Sequence, residues 1–219
     1  MKQKISPLQR VLNVWAIILI AWSIYRAKFR MPEWFDEFIA KPLIFILPVY
    51  IYIKRVENKN FFSAISLKTK LLISDLIFGV LIALIFISSA ILANFIKLHK
   101  FVLLTKTSLT IQDAVFVLVI ALATSISEEI LSRGFVLKRL YEESKNIYTS
   151  SFFASILFFF LHVPILFTNI KITGNLLLIF MAVDIVLSLF NSLVFLTKRD
   201  LILPILIHAF YNLTIILFI

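Results

Sequence analysis

An all-α bundle of about seven transmembrane helices follows from three features of the sequence: its apolar content, the length of its apolar runs and the places where its charges fall. Of the 219 residues, 61% are hydrophobic and 23 are Phe, with a mean hydropathy of +1.02, against roughly 45–50% apolar residues in a soluble domain. Runs close to the ~20 residues that cross a bilayer follow one another with short polar links. Gly occurs three times and Pro six, and no internal repeat is visible, so one integral membrane domain is expected over residues 1–219. The formal net charge of +10 comes from Lys and Arg placed between the apolar runs. They never build a continuous basic face, which sets nucleic acid aside as a partner and leaves topology signals and lipid headgroup contacts. Cysteine is absent, which excludes disulfides, thiolate metal ligands and a cysteine nucleophile.

The first run, about residues 8 to 25, follows Lys2, Lys4 and Arg10 as a signal peptide would. It ends in the polar stretch 23–30 with no small-residue cleavage site, so it is read as an uncleaved span. The second, about 38 to 53, is short and holds Pro42 and Pro48, and is expected to be kinked or partly interfacial. The third (about 71 to 96) and fourth (about 113 to 137) are long enough to span with a margin. The fifth covers about 149 to 167, the sixth about 174 to 197 and the seventh about 200 to 219. Only Thr197, Lys198 and Arg199 separate the last two, which predicts a tight hairpin.

With the N-terminus in the cytoplasm and the spans alternating, 13 Lys and Arg fall inside and 8 outside, Lys41 among the latter. The bias favours a cytoplasmic N-terminus. Trp15, Trp22, Trp34, Tyr50 and Tyr52 read as interfacial anchors, and Asp75 and His99 as interface residues.

An ionisable residue inside a bilayer is costly unless it faces a protein interior or a wet cavity, so each one points to function. Three groups stand out. In the fourth span Glu129 and Arg133 are four apart on one helical face and suited to an ion pair, while Glu128 points about 100° away, free for chemistry. In the fifth span His162 ends a run of large apolar side chains, where a neutral imidazole can position water, accept a proton or bind a metal. In the last span His208 and Asn212, again four apart, present N–H donors to one cavity, as a developing oxyanion requires. On a rise of about 1.5 Å per residue, the four groups lie roughly 10 to 20 Å deep and can meet. Asp184 and Asn191 of the sixth span are read first as helix-packing contacts and second as cavity lining.

These residues resemble the CAAX prenyl protease and bacteriocin-processing membrane proteases, also called the Abi family. Its three ordered motifs, EExxxR, FxxxH and HxxxN, correspond here to Glu128-Glu129 with Arg133, Phe158 with His162, and His208 with Asn212. The resemblance covers residues 113–219. It implies an endopeptidase acting on membrane-associated peptides or protein C-termini in a multi-pass protein of the cell membrane, of a bacterial kind. Glu128 would activate water held by His162, His208 and Asn212 would form the oxyanion site, and Glu129 with Arg133 would brace the helix. Family members are described both as metalloproteases and as metal-free glutamate proteases. Were Zn2+ present, Glu128, His162 and His208 would hold it with one open position; the reading taken is metal-free. The partners expected are membrane lipid and a peptide or protein substrate.

Two other functions compete. A non-catalytic bacteriocin immunity or scaffold protein of the same fold would bind a partner through these helices. A small transporter would also place carboxylates and imidazoles in the bilayer, but inverted repeats or Gly/Pro-broken helices, its usual signs, are not evident.

Overall fold

The computed structural model describes residues 5–29, 31–68, 73–99, 110–168 and 174–218. Lys2, Lys4, Arg30, Lys70, Lys100, Lys106 and Lys171, all counted in the charge tally, lie outside them. The described residues are predominantly helical, with no strand among them. Eight helices follow in order: α1 (Pro7–Lys28), α2 (33–57), α3 (Phe61–Ala64), α4 (Ile73–Leu98), α5 (Ile111–Ser144), α6 (Ile147–Thr168), α7 (Gly174–Lys198) and α8 (Ile202–Phe218).

Local chemistry sets the helix ends. The Ser6 hydroxyl accepts from the Gln9 amide and Pro7 occupies the first turn of α1, where its missing N–H costs nothing. Thr110 and Asp113 form a reciprocal capping box at the start of α5. The Asn146 side chain accepts from the Thr149 amide to open α6. The expected hairpin is present: α7 stops at Lys198, Arg199 turns the chain with φ of 52°, and α8 begins at Ile202.

Five helices, α1, α4, α5, α6 and α7, are long and apolar enough to cross a membrane, and α8 is a shorter apolar helix of 17 residues. Among the described residues, these five correspond to five of the expected spans; the last expected span corresponds to α8, and the second to α2, which carries Asp36, Glu37 and Lys41 within its own length. Its backbone departs from a regular α-helix: the amides of Lys41, Leu47 and Asn58 bond to the carbonyls of Asp36, Pro42 and Ile53, five residues back. These wide turns interrupt the regular ladder around Pro42 and Pro48, as an insertion of one residue per turn does.

The fourth expected span ends too early at 137, since α5 runs on to Ser144. Lys138 and Arg139 look like a membrane boundary in the sequence, but both fold back onto protein. Arg139 pairs with both carboxylate oxygens of Glu57, at 3.0 and 2.8 Å, and Lys138 Nζ donates to Ser66 Oγ at 2.8 Å. Lys198 Nζ stands 3.5 Å from Asp75 and Lys68 Nζ reaches the Lys198 carbonyl. Arg10 lines one cleft with Glu57 and Arg139. Arg10 at the start of α1, Lys68 after α3, Lys138 and Arg139 in the last turns of α5 and Lys198 at the end of α7 are thus gathered at one end of the bundle, with Glu57 of α2 and Asp75 of α4 among their partners.

The core is built from α1, α2, the 61–65 turn, the second half of α5, and parts of α6, α7 and α8. Gly134 lets the chain pack there: a Cβ at that position would stand 2.9 Å from Ile65 Cβ. Trp22 and Tyr52, expected as interfacial anchors, are core residues instead. Trp22 is buried against Tyr25 and Phe45, and Tyr52 meets Phe135 edge to face. Along α4 the large apolar residues Ile73, Ile77, Leu81, Leu84 and Ile85 are exposed, while Asp36, Glu37, Lys41, Glu128, Glu129, Arg133 and Asp184 are buried. Apolar surface outside and charge inside is the arrangement that a lipid solvent stabilises.

Candidate active site

Glu37, Lys41, Glu128, Glu129, Arg133 and Asp184 form one connected cluster of buried charges where α2, α5, α6, α7 and α8 meet, while Asp36 pairs instead with Arg26 of α1. Glu128 and Glu129 end the regular part of α5, and the turns that follow, residues 130–137, are widened to i→i+5 bonding. Consecutive positions on a helix point about 100° apart, and the two carboxylates accordingly enter different environments.

Glu129 is enclosed, with no exposed surface. Its Oε1 receives Arg133 Nη1 at 2.8 Å, Asn191 Nδ2 at 3.2 Å and His208 Nδ1 at 2.9 Å. The expected ion pair with Arg133 is present. The same guanidinium donates from Nη2 to the Ser188 carbonyl (2.9 Å) and hydroxyl (2.8 Å) and lies 4.4 Å from the centre of the Phe158 ring. Three helices are therefore tied through one glutamate and one arginine, a planar fork suited to several directed bonds.

Glu128 is placed differently. Its Oε1 accepts from Lys41 Nζ at 2.8 Å. Its Oε2 takes no hydrogen bond from a described residue and faces His162 Nε2 at 3.5 Å and His208 Nε2 at 3.7 Å. His162 sits with its ring 4.8 Å from Phe158, and its Nδ1 lies 3.3 Å from the Phe158 carbonyl and 3.5 Å from Asp184 Oδ2. The Phe158 carbonyl can only accept, so a hydrogen bond there requires the proton on Nδ1 and leaves Nε2 turned to Glu128. His162 is the most open member, its side chain 15% exposed against 6% for Glu128 and 4% for His208. Asn212 stands one turn above His208 and its Nδ2 reaches Ser125 Oγ at 3.4 Å, one turn before Glu128.

Five of the residues singled out by the sequence, Glu128, Glu129, Arg133, His162 and His208, are thus in direct contact, with Asn212 beside them. Four others belong to the cluster. Asp184 and Asn191 are more than packing contacts, since they meet His162 and Glu129. Lys41 and Glu37 carry no motif. Lys41 is a correction, because it is no loop cation: it is 4% exposed and bonded to Glu37 Oε1 and Glu128 Oε1 at 2.8 Å each. Its spacing of four from Glu37 was the available signal.

Among the described residues no group of three His, Asp or Glu side chains is arranged to hold an ion. The Lys41 ammonium already lies against Glu128 Oε1, where it would repel a dication.

No curated protein matches the chain. The family model described as type II CAAX prenyl endopeptidase Rce1-like matches residues 110–214, the stretch from the capping box of α5 to the fourth turn of α8. Within it lie both glutamates of the site, both of its histidines and the arginine that joins them, and over this stretch, a little under half of the chain, the protein is similar to that family of membrane endopeptidases.

Proposed function

We propose that the protein is an intramembrane endopeptidase that cleaves membrane-associated peptides or protein C-termini by direct attack of a water molecule. The observation that carries this reading is Glu128 Oε2, a buried carboxylate oxygen with no hydrogen bond from a described residue and two imidazole Nε2 atoms within 3.7 Å. A buried, unpartnered acceptor is costly and needs a reason, and a general base is one.

Water held between Glu128 Oε2 and His162 Nε2 gives up a proton to Glu128 as its oxygen bonds to the scissile carbonyl carbon. The carbonyl π pair moves onto oxygen, where N–H groups of His208 and Asn212 receive the charge. Glu129 Oε1, 2.9 Å from His208 Nδ1, fixes the ring so that Nε2 is turned into the site. When the C–N bond breaks, the proton on Glu128 passes to the leaving amine, which restores the carboxylate and leaves a new C-terminal carboxyl. Lys41, Asp184 and Arg133 hold these groups in place. No step passes through a metal. The basic end of the bundle faces the cytoplasm of a cell membrane in this reading, with the N-terminus on that side.

The test is proteolysis of a library of membrane-anchored peptides by the detergent-purified protein, with and without a chelator. Cleavage that survives the chelator supports the reading. Cleavage abolished by it and restored by Zn2+ overturns the metal-free mechanism. No cleavage by a folded protein shifts the reading to a binding or immunity role.

A further inference from the structure

Lys41 lies outside the stretch that carries the motifs, yet it is the nearest charged group to Glu128. Its Nζ is 2.8 Å from Glu128 Oε1 and 2.8 Å from Glu37 Oε1, the side chain is 5% exposed, and the ring of Trp22 lies 5.9 Å away. An ammonium removed from water at this cost persists only where partners answer its charge. Glu128 needs one such bond to hold it, and a single bond to Oε1 leaves Oε2 free toward the imidazoles. Glu37 and Lys41 lie four apart on α2, between wide turns closed by the Lys41 and Leu47 amides, and both enter the cluster.

We propose that Lys41, itself anchored by Glu37, is the positioning residue for the general base: it fixes Glu128 through Oε1 so that Oε2 alone faces the water and substrate. The N-terminal half of the chain thereby completes a site whose motifs all lie in the other half. For its kinetic consequence this rests on the protease reading; for its electrostatic consequence it does not. The charged and titratable groups facing Glu128 are Glu37 and Lys41 from α2, Glu129 and Arg133 from α5, His162 from α6, Asp184 from α7 and His208 from α8. Changes confined to Lys41 and Glu37 leave the other five in place.

The two changes have opposite signs. Lys41→Met removes the positive charge beside the carboxylate, so protonation of Glu128 sets in at higher pH by about one to three units. Glu37→Gln removes a negative charge behind Lys41, so protonation sets in at lower pH. A merely structural role would weaken both variants alike.

The experiment is a pH titration of the Glu128 carboxyl band by infrared difference spectroscopy, assigned by its loss in Glu128→Gln, run on wild type, Lys41→Met, Lys41→Arg and Glu37→Gln. It is paired with the kcat/KM profile on whichever peptide is cleaved and with thermal melting of each variant. The expected result is a titration displaced upward in Lys41→Met and downward in Glu37→Gln, with Lys41→Arg close to wild type. In kinetics, kcat of Lys41→Met falls by about 10- to 100-fold at neutral pH while KM holds within about twofold. A Glu128 titration that is the same in Lys41→Met and wild type overturns the proposal, even where cleavage depends on Glu128. Displaced titrations in a protein that cleaves nothing uphold the positioning and refute the protease reading. If Lys41→Met does not fold, Lys41→Arg and Glu37→Gln decide: equal loss of activity in both with no displacement of the titration overturns the proposal.

Discussion

His208 Nδ1 lies 2.9 Å from Glu129 Oε1, and this contact divides the adjacent glutamates between two tasks. Glu129 is taken up by Arg133, Asn191 and His208 and holds α5, α7 and α8 together. Glu128 is left with one bond, from Lys41, and an oxygen turned to both imidazoles. Two chemically identical side chains next to each other are separated by the 100° turn between them and by what each one meets.

Arg133 is the residue whose loss will harm the fold most. Arg133→Met leaves Glu129 buried without its counter-charge and frees the Ser188 carbonyl, a change that costs about 3–5 kcal/mol. Thermal unfolding in detergent is expected to show a large fall in Tm. Arg133→Lys should recover only part of it, because one ammonium cannot reproduce the fork that reaches Glu129 and both Ser188 oxygens. A Lys variant with wild-type stability would contradict this account of the brace.

Gly134 is expected to tolerate no side chain. In Gly134→Ala the new Cβ meets Ile65 Cβ at 2.9 Å and the Ile65 carbonyl at 3.2 Å, and neither is the far end of a flexible chain. The cost is about 1–3 kcal/mol, read in the same melting experiment. An unchanged Tm would mean that the 61–65 turn shifts off α5 without penalty.

Asp184 is expected to act on rate rather than on fold. Its Oδ2 lies 3.5 Å from His162 Nδ1 and helps keep Nε2 aimed at Glu128. Asp184→Asn should lower kcat about tenfold with KM and helical content unchanged, measured by steady-state kinetics and circular dichroism. Equal loss of kcat and stability would return Asp184 to a packing role.

The three motif groups were legible because each consists of polar residues inside an apolar helix, where lipid allows few explanations. The spacing of four joined Glu129 to Arg133 and set His208 beside Asn212. Lys41 and Glu37 were not legible as site residues. They stand at the head of a short run with two prolines, where a charged residue looks like a loop cation, and their partner Glu128 is distant in sequence. Trp22 and Tyr52 were misread for a related reason: near a helix end an aromatic residue suits the headgroup layer and a core equally well, and the packing of α2 against α1 and α5 decides for the core. The last turns of α5 were missed because Lys138 and Arg139 find partners in Glu57 and Ser66, distant in sequence.

The most direct measurement compares wild type with Glu128→Gln on a single cleaved peptide, with the fold of both followed by circular dichroism and melting. The substitution keeps the size of the side chain and removes its capacity to take a proton. Loss of kcat by about 10²- to 10⁴-fold with the fold intact is the predicted result. Retained cleavage in the folded Glu128→Gln protein would contradict Glu128 as the base and, with it, the mechanism.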